Sequence, residues 1–211
     1  DRVIYVLGLL ARAGHGKTSV AEHLVETFGA ERCSLAGPMK RAVQNVFGFS
    51  DAQVWGTQAD KEAVDPRYGF SPRWLLQRLG TEGLRTEFGD DIHLQALLLG
   101  LRRERDRNPG APHRLYVVDD VRFPNDARFI AQGGSDFVGR VLKVVATDVP
   151  APAHADHASE AAIDAVDPGD IAATVISSHR QGVAHLLAEV ERTLLTAETC
   201  AVLSPVLNRS R

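Results

Sequence analysis

The chain has 211 residues, 44% of them hydrophobic and 24% charged; that length buries enough surface to hold a core without a disulfide or a structural metal, and the composition excludes collagen-like, coiled-coil and wholly disordered classes. A balance of 24 basic and 27 acidic residues gives a net charge of −3, which disfavours coating of a nucleic-acid backbone but not a local site for a small anion. The longest apolar runs, such as residues 3–10, are far short of a membrane span. No charged segment precedes an apolar stretch of signal-peptide type. Cys33 and Cys200 form neither a paired motif nor a disulfide framework, so a reducing cytoplasm and no membrane partner are expected. The chain begins at Asp1 rather than Met, as expected where a few residues are missing.

Residues 3–10 are short, β-branched and apolar, which predicts a buried strand. A glycine-containing turn follows at 11–16. Residues 17–28 carry helical spacing, with Val20, Leu24 and Val25 on one face, Glu22 and Glu26 on the other, and Gly29 as the stop. Pro38 suits a helix start, and the pattern to Phe47 puts Val43, Val46 and Phe47 inward. Residues 48–69 read as polar and irregular. A helix is predicted from Pro72 to about Glu82, with Trp74, Leu75 and Leu79 on its apolar side. Another follows at 92–101. Residues 102–112 are charged and contain Asn-Pro-Gly, which reads as an exposed loop. A second buried strand at 115–118 ends at Asp119 and Asp120. A helix at 124–132 stops at Gly133 and Gly134, and a third strand covers 137–146. Residues 148–157, with Pro150 and Pro152, read as a mobile loop. A strand at 171–176 and an amphipathic helix at 182–195 follow, and the tail after Ala201 reads as loose. No internal repeat is visible. Strands alternating with helices imply a parallel α/β sheet covered on both faces.

Ala11-Arg12-Ala13-Gly14-His15-Gly16-Lys17-Thr18 fits the phosphate-loop pattern with Ala in place of the first Gly, between a predicted strand and a predicted helix. Gly14 and Gly16 let backbone N–H groups face phosphate oxygens, and the helix N-terminus adds partial positive charge. Ala13, Gly14, His15, Gly16, Lys17, Thr18 and Ser19 are the candidate nucleotide-binding residues. Lys17 supplies a point charge near the β- and γ-phosphates, and the Thr18 hydroxyl is a candidate Mg²⁺ ligand. The competing reading is a glycine-rich turn with a solvated lysine. Ala11, which tolerates positive φ poorly, is expected to alter the start of the loop slightly. An acid at the C-terminal end of a strand, Asp120 beside Asp119, suits the magnesium shell; the plainer alternative is a turn aspartate. Arg73, Arg85 and Arg122 stand outside charge runs and are candidates for binding phosphate in bidentate fashion, against the commoner fate of a surface salt bridge. Residues 102–107 mix signs and read as a solvated loop. His154 and His157 flank Asp156 without a third clear ligand, so a structural zinc site is not expected. Phe70, Trp55 and Trp74 are able to stack a base, but such aromatics are more often core.

These stretches together resemble the phage-type deoxynucleoside monophosphate kinases, a branch of the P-loop nucleotide kinases. Beside the phosphate loop, the carriers are Leu35-Ala36-Gly37-Pro38-Met39-Lys40 with Val46-Phe47-Gly48; Ser71-Pro72-Arg73-Trp74-Leu75-Leu76-Gln77-Arg78-Leu79-Gly80-Thr81-Glu82-Gly83-Leu84-Arg85; and Asp120-Val121-Arg122-Phe123-Pro124-Asn125-Asp126 with Gly133-Gly134. Lys61-Glu62 and His157-Ala158-Ser159-Glu160 also fit, so the match spans roughly residues 3–165. The chain departs from the family pattern at Ile92-His93-Leu94, where an aromatic is common, and at Val145-Ala146, where an arginine is expected.

The resemblance implies one P-loop kinase domain over 1–211: a three-layer α/β sandwich with a parallel central sheet, a helical acceptor-binding insertion at about 48–101 and a lid loop at about 146–160. It implies transfer of the γ-phosphoryl of ATP, with Mg²⁺, to a deoxynucleoside 5′-monophosphate. Lys17, Asp120, Arg122, Arg73 and Arg85 are then the catalytic candidates, with Thr18 and Asp120 toward the metal. Lys40, Arg73, Trp74, Gln77, Thr81, Glu82, Arg85 and Arg122 are the candidates for the acceptor. Closure of 48–69 and 148–157 would exclude water. A homodimer fits by analogy, through residues 92–101, and an infected host's cytoplasm is the setting if the gene is phage-borne. Two alternatives differ in acceptor or in class. A kinase acting on the hydroxyl of a hydroxymethylated base in DNA would need a general base, for which Asp119 or Asp91 would serve. A non-catalytic nucleotide-binding module would bind ATP without transferring it.

Overall fold

The computed structural model describes residues 2–149 and 162–208. In chain order its elements are β1 (Ile4–Leu10), α1 (Lys17–Phe28), β2 (Glu31–Cys33), α2 (Gly37–Phe47), α3 (Asp51–Trp55), α4 (Gln58–Glu62), α5 (Pro72–Gln77), a π-helix (Arg78–Arg85), α6 (Thr86–Phe88), α7 (Ile92–Arg107), β3 (Leu115–Val121), α8 (Pro124–Gln132), β4 (Phe137–Ala146), β5 (Ala173–Ser177), α9 (Gly182–Thr196) and α10 (Ser204–Leu207). Short 3₁₀ turns cover Pro168–Asp170, His179–Gln181 and Glu198–Leu203. The chain divides into two compact units, Asp1–Ser34 with Leu101–Arg211 as the first and Leu35–Gly100 as the second.

The first unit is an α/β fold around a parallel sheet of order β2-β3-β1-β4-β5. All of β1 is buried, as a parallel strand covered on both faces requires. Its alternate residues Tyr5, Leu7 and Leu9 pack with Val20, Ala21 and Leu24 of α1 and with Leu186, Val190 and Leu194 of α9. On the other face Gly8 of β1 and Gly139 of β4 lie under Ile130 of α8. These are three layers, helix on sheet on helix. Gly139 is required by contact: a Cβ there would stand 2.1 Å from the Ile130 carbonyl oxygen.

The second unit is helical. Val43, Phe49, Val54 and Leu75 form its core, with Met39, Phe47, Phe70, Leu76 and Leu79 packed around them. The buried Asp65 carboxylate accepts bonds from Gln53 Nε2 (2.8 Å) and from the Arg67 guanidinium (Nη2, 2.7 Å), and ties that segment together. Those hydrogen bonds, from Arg67 first and then Gln53, hold its pKa well below the usual carboxylate range.

Several expectations are corrected. Residues 48–69 are only partly irregular: Ser50 and Thr57 cap α3 and α4 with reciprocal side-chain bonds to Gln53 and Asp60, a local signal that polarity masked, while 63–69 are turn and coil as expected. The helix from Pro72 continues past Glu82 as π-helix and then α6. Residues 102–107 extend α7 rather than forming a loop, because Arg102 and Arg105, three apart on one face, both bind Asp136. Asp119 and Asp120 lie inside β3, which runs to Val121. β2 was not predicted, having only three residues and no fully buried one. The last strand begins two residues later than predicted, at Ala173. Up to residue 208 the tail is not loose: Leu203, Val206 and Leu207 join the core of the first unit. Val46 (73% exposed), Trp74 (47%) and Val25 (38%) face outward rather than inward. Cys33 and Cys200 are free thiols. Among the described residues no helix is long and apolar enough to cross a membrane. Most of the expected lid, with His154, His157 and 158–160, lies outside the described residues.

Candidate active site

In the first unit the C-terminal edge of the sheet gathers the chemistry. Leu10, the last residue of β1, pairs in register with Val121 of β3 and Lys143 of β4. Parallel strands therefore deliver residues 11–18, 119–122 and 143–146 to one edge beside the central strand, the place where open α/β sheets bind ligands. Ala11 continues the burial of β1, at 2% exposure. The left-handed backbone of the loop falls instead on Gly14 (φ 79°) and Gly16 (φ 85°), and no non-glycine among the described residues has positive φ. Alanine at position 11 is therefore unstrained.

No side chain caps the N-terminus of α1, so that end of the helix is set to meet an anion. Lys17 Nζ reaches back to the Ala11 carbonyl at 3.5 Å. Ala13 and Thr18 are exposed, and Ser19 is half-buried. His15 is nearly buried, and its Nδ1 accepts a bond from the Ala146 amide at 3.1 Å. His179 Nε2–H donates to the Gly14 carbonyl at 3.0 Å. The 3₁₀ turn bearing His179 is itself held by Asp148, which accepts from the His179 amide and the Ser178 hydroxyl, each at 2.7 Å. Those bonds, the His179 amide first, lower the Asp148 pKa to about 2. His179 and Asp148 were missed from sequence, since neither lies near the loop in the chain.

Beside the loop, the Ser34 hydroxyl donates to Asp120 Oδ2 at 2.6 Å. Asp119 is engaged by Arg32, with Nε at 2.6 Å and Nη2 at 2.5 Å. Arg122 is exposed at the end of β3. Its amide and that of Phe123 both donate to the buried Asp126 carboxylate at 3.4 and 3.2 Å, which fixes the turn into α8. A cavity of about 330 Å³ opens beside the loop, lined by Ala11, Arg12, His15, Lys143, Ile163 and Asp164 among others, a size within the range of small-molecule sites. Arg12 is ion-paired with Asp164 across it.

The remaining predicted residues belong to the second unit. Arg73 binds Gln58 Oε1 at 3.2 Å and Glu62 at 3.7 Å. Lys40 sits over the Trp55 ring at 4.4 Å, and Arg78 over Trp74 at 5.3 Å. Glu82 pairs with Arg78 at 2.9 Å. Gln77, Thr81 and Glu82 are exposed and Arg85 is half-buried, and the last three lie on the π-helix. The structure thus brings Lys17, Thr18, Asp120 and Arg122 to one edge of the first unit. It places Arg73, Trp74, Gln77, Thr81, Glu82 and Arg85 along one helical rod of the second.

No family model matches the chain. Over 178 residues it is 35% identical to a protein of Acanthamoeba polyphaga mimivirus named "Putative deoxynucleotide monophosphate kinase", a match covering 79% of this chain and 86% of that protein. The crystal structure of TT1252 from Thermus thermophilus aligns with a TM-score of 0.53 over 92% of this chain and 97% of that one, at 16% identity, a likeness of fold alone.

Proposed function

The chain belongs to the deoxynucleotide monophosphate kinase family, and we propose that it transfers the γ-phosphoryl group of ATP to the 5′-phosphate of a deoxynucleoside monophosphate, giving the diphosphate. One observation carries this reading: a loop whose two left-handed glycines precede an uncapped helix N-terminus, with Lys17 at its end, set at the C-terminal edge of a parallel sheet.

Phosphoryl transfer to an existing anion needs no strong general base, so positioning and charge neutralisation supply most of the rate. Lys17 and the backbone amides of 13–19 bind the donor phosphates. Arg122, Arg73 and Arg85 are the arginines proposed to bind the acceptor phosphate or the transferred group. Lys40, Trp74, Gln77, Thr81 and Glu82 contact the sugar and base. Mg²⁺ binds through one or two protein oxygens and completes its shell with phosphate and water. Thr18 and Asp120, the latter oriented by Ser34, would hold it, and it would neutralise charge on the phosphates. An acceptor hydroxyl on modified DNA would instead require a general base, and Asp119, one of the two carboxylates considered for it, is engaged by Arg32, which counts against that role for Asp119.

Lys17→Ala is expected to lower kcat with ATP and the four deoxynucleoside monophosphates by about 10²-fold or more, with an unchanged circular dichroism spectrum. Full activity in that variant removes Lys17 from the mechanism. Product from hydroxymethylated DNA and none from any mononucleotide overturns the acceptor assignment.

A further inference from the structure

The rod from Pro72 to Phe88 contains eight consecutive residues of π-helix, Arg78–Arg85. π-Helix is rare and occurs mostly as short insertions at functional positions. The wide turn also shows in a side chain: Thr86 Oγ1 donates to the Thr81 carbonyl, five residues back, at 3.1 Å. What holds it lies outside the rod. Gly80 is buried, and a Cβ there would sit 3.2 Å from Met39 Cε, so α2 presses against bare backbone. His93, 7% exposed on α7, sends its Nε2–H to the Gly80 carbonyl at 3.1 Å. A carbonyl drawn toward an outside donor tilts off the helix axis, and insertion of a side chain into the ladder is a known cause of local irregularity.

We infer that His93 is a positioning residue: its bond to Gly80 keeps the turn wide and so sets the direction in which Thr81, Glu82 and Arg85 leave the rod. This rests on the reading of those residues as acceptor contacts. Each residue of an α-helix advances about 100°. A π-turn accommodates one extra residue, so relaxation to α-helix would rotate the residues beyond it by about that angle relative to Arg73 and Gln77. The same side chains would then point to a different side. His93 touches neither nucleotide in this account; it acts through Gly80.

The test compares His93→Phe, which keeps a ring but loses the donor, with His93→Gln, which keeps an N–H. In steady-state kinetics with ATP and a deoxynucleoside monophosphate, His93→Phe is expected to raise the acceptor KM about tenfold or more while the ATP KM stays within about twofold, and His93→Gln is expected to recover most of the loss. Amide exchange across residues 78–88, read by mass spectrometry without substrate, is expected to change in His93→Phe and not elsewhere in the second unit. Equal movement of both KM values, or no movement, overturns the inference, as does unchanged exchange over 78–88. A wild-type protein that phosphorylates no deoxynucleotide removes the acceptor reading, while the exchange comparison still decides what His93 holds. If His93→Phe does not fold, the ¹⁵N shifts of the wild-type imidazole decide: a protonated Nε2 supports the bond, and a bare Nε2 overturns it.

Discussion

Gly139 offers the sharpest test of how the sheet is covered. A methyl group at that position would lie 2.1 Å from the Ile130 carbonyl oxygen and 2.9 Å from both Ile130 C and Cγ2. Close C–H···O contacts have C···O separations of about 3.3 Å or more, so the overlap is about 1.2 Å and two of the three atoms are backbone. A side chain can rotate away from such a contact; α8 has to rise off β4. Overpacking of this kind costs about 1–3 kcal/mol, and the upper end is expected because backbone must move. For a chain of this size about 3 kcal/mol lowers Tm by about 6–12 °C. Gly100, in α7, is the control. A Cβ there meets nothing within 4 Å, so Gly100→Ala in a helix gains about 0.5–1 kcal/mol and raises Tm slightly. Thermal unfolding followed by circular dichroism at 222 nm reads both. A Gly139→Ala protein melting within about 2 °C of wild type would refute the close approach of α8 to β4.

Acid should unfold the protein partly through Asp136. Its pKa is lowered to about 2, first by hydrogen bonds from Arg102 and then by Arg105. A lowered carboxylate pKa stabilises the fold above the unfolded value near 3.8, and that contribution is lost as pH falls toward 2. Asp136→Asn should therefore flatten the stability profile between about pH 4 and 2, measured by urea unfolding; an unchanged profile would remove this pair from the acid response. Cys200 is 1% exposed and burial raises its pKa, so a thiol reagent should label it only on unfolding, and rapid labelling in native buffer would show the tail to open. Gly16→Ala combines a φ of 85° with a Cβ only 2.6 Å from Leu186 Cδ2, so it should weaken ATP binding and lower Tm together; an unaffected ATP KM would count against the loop geometry.

Much of the first unit was legible because its signals are local. β1, α8 and β4 follow directly from period and punctuation, and the helix of residues 17–28 is bounded by glycines at both ends. The parallel arrangement followed from alternation of strand and helix. What escaped depends on partners far along the chain. The charged run 102–107 is helical because Asp136 waits for Arg102 and Arg105. β2 exists because β3 offers it an edge, not because three residues encode a strand. The π-helix has no sequence period of its own; Met39 and His93 impose it. Among the candidate site residues, the loop of residues 11–18 and Asp120 were singled out by motif and position. His179 and Asp148 were not, since their relation to Gly14 is formed only by the fold.

The loop of residues 11–18 shows why those distant partners matter. A loop that binds anions through its N–H groups must keep its carbonyl oxygens from facing the same space. Here the Gly14 carbonyl is turned to His179 Nε2 at 3.0 Å, and the Ala11 carbonyl is met by Lys17 Nζ at 3.5 Å. The two bonds differ in length. A separation of 3.0 Å is ordinary for a good hydrogen bond, whereas 3.5 Å is at the weak limit. The first is suited to persist and fix the peptide at Gly14. The second is long, and a phosphate oxygen, being itself charged, would offer the Lys17 ammonium a stronger partner than that carbonyl. On the proposed function, the loop thus keeps the Gly14 carbonyl turned away from the phosphates, the kind of preorganisation that charge stabilisation asks for.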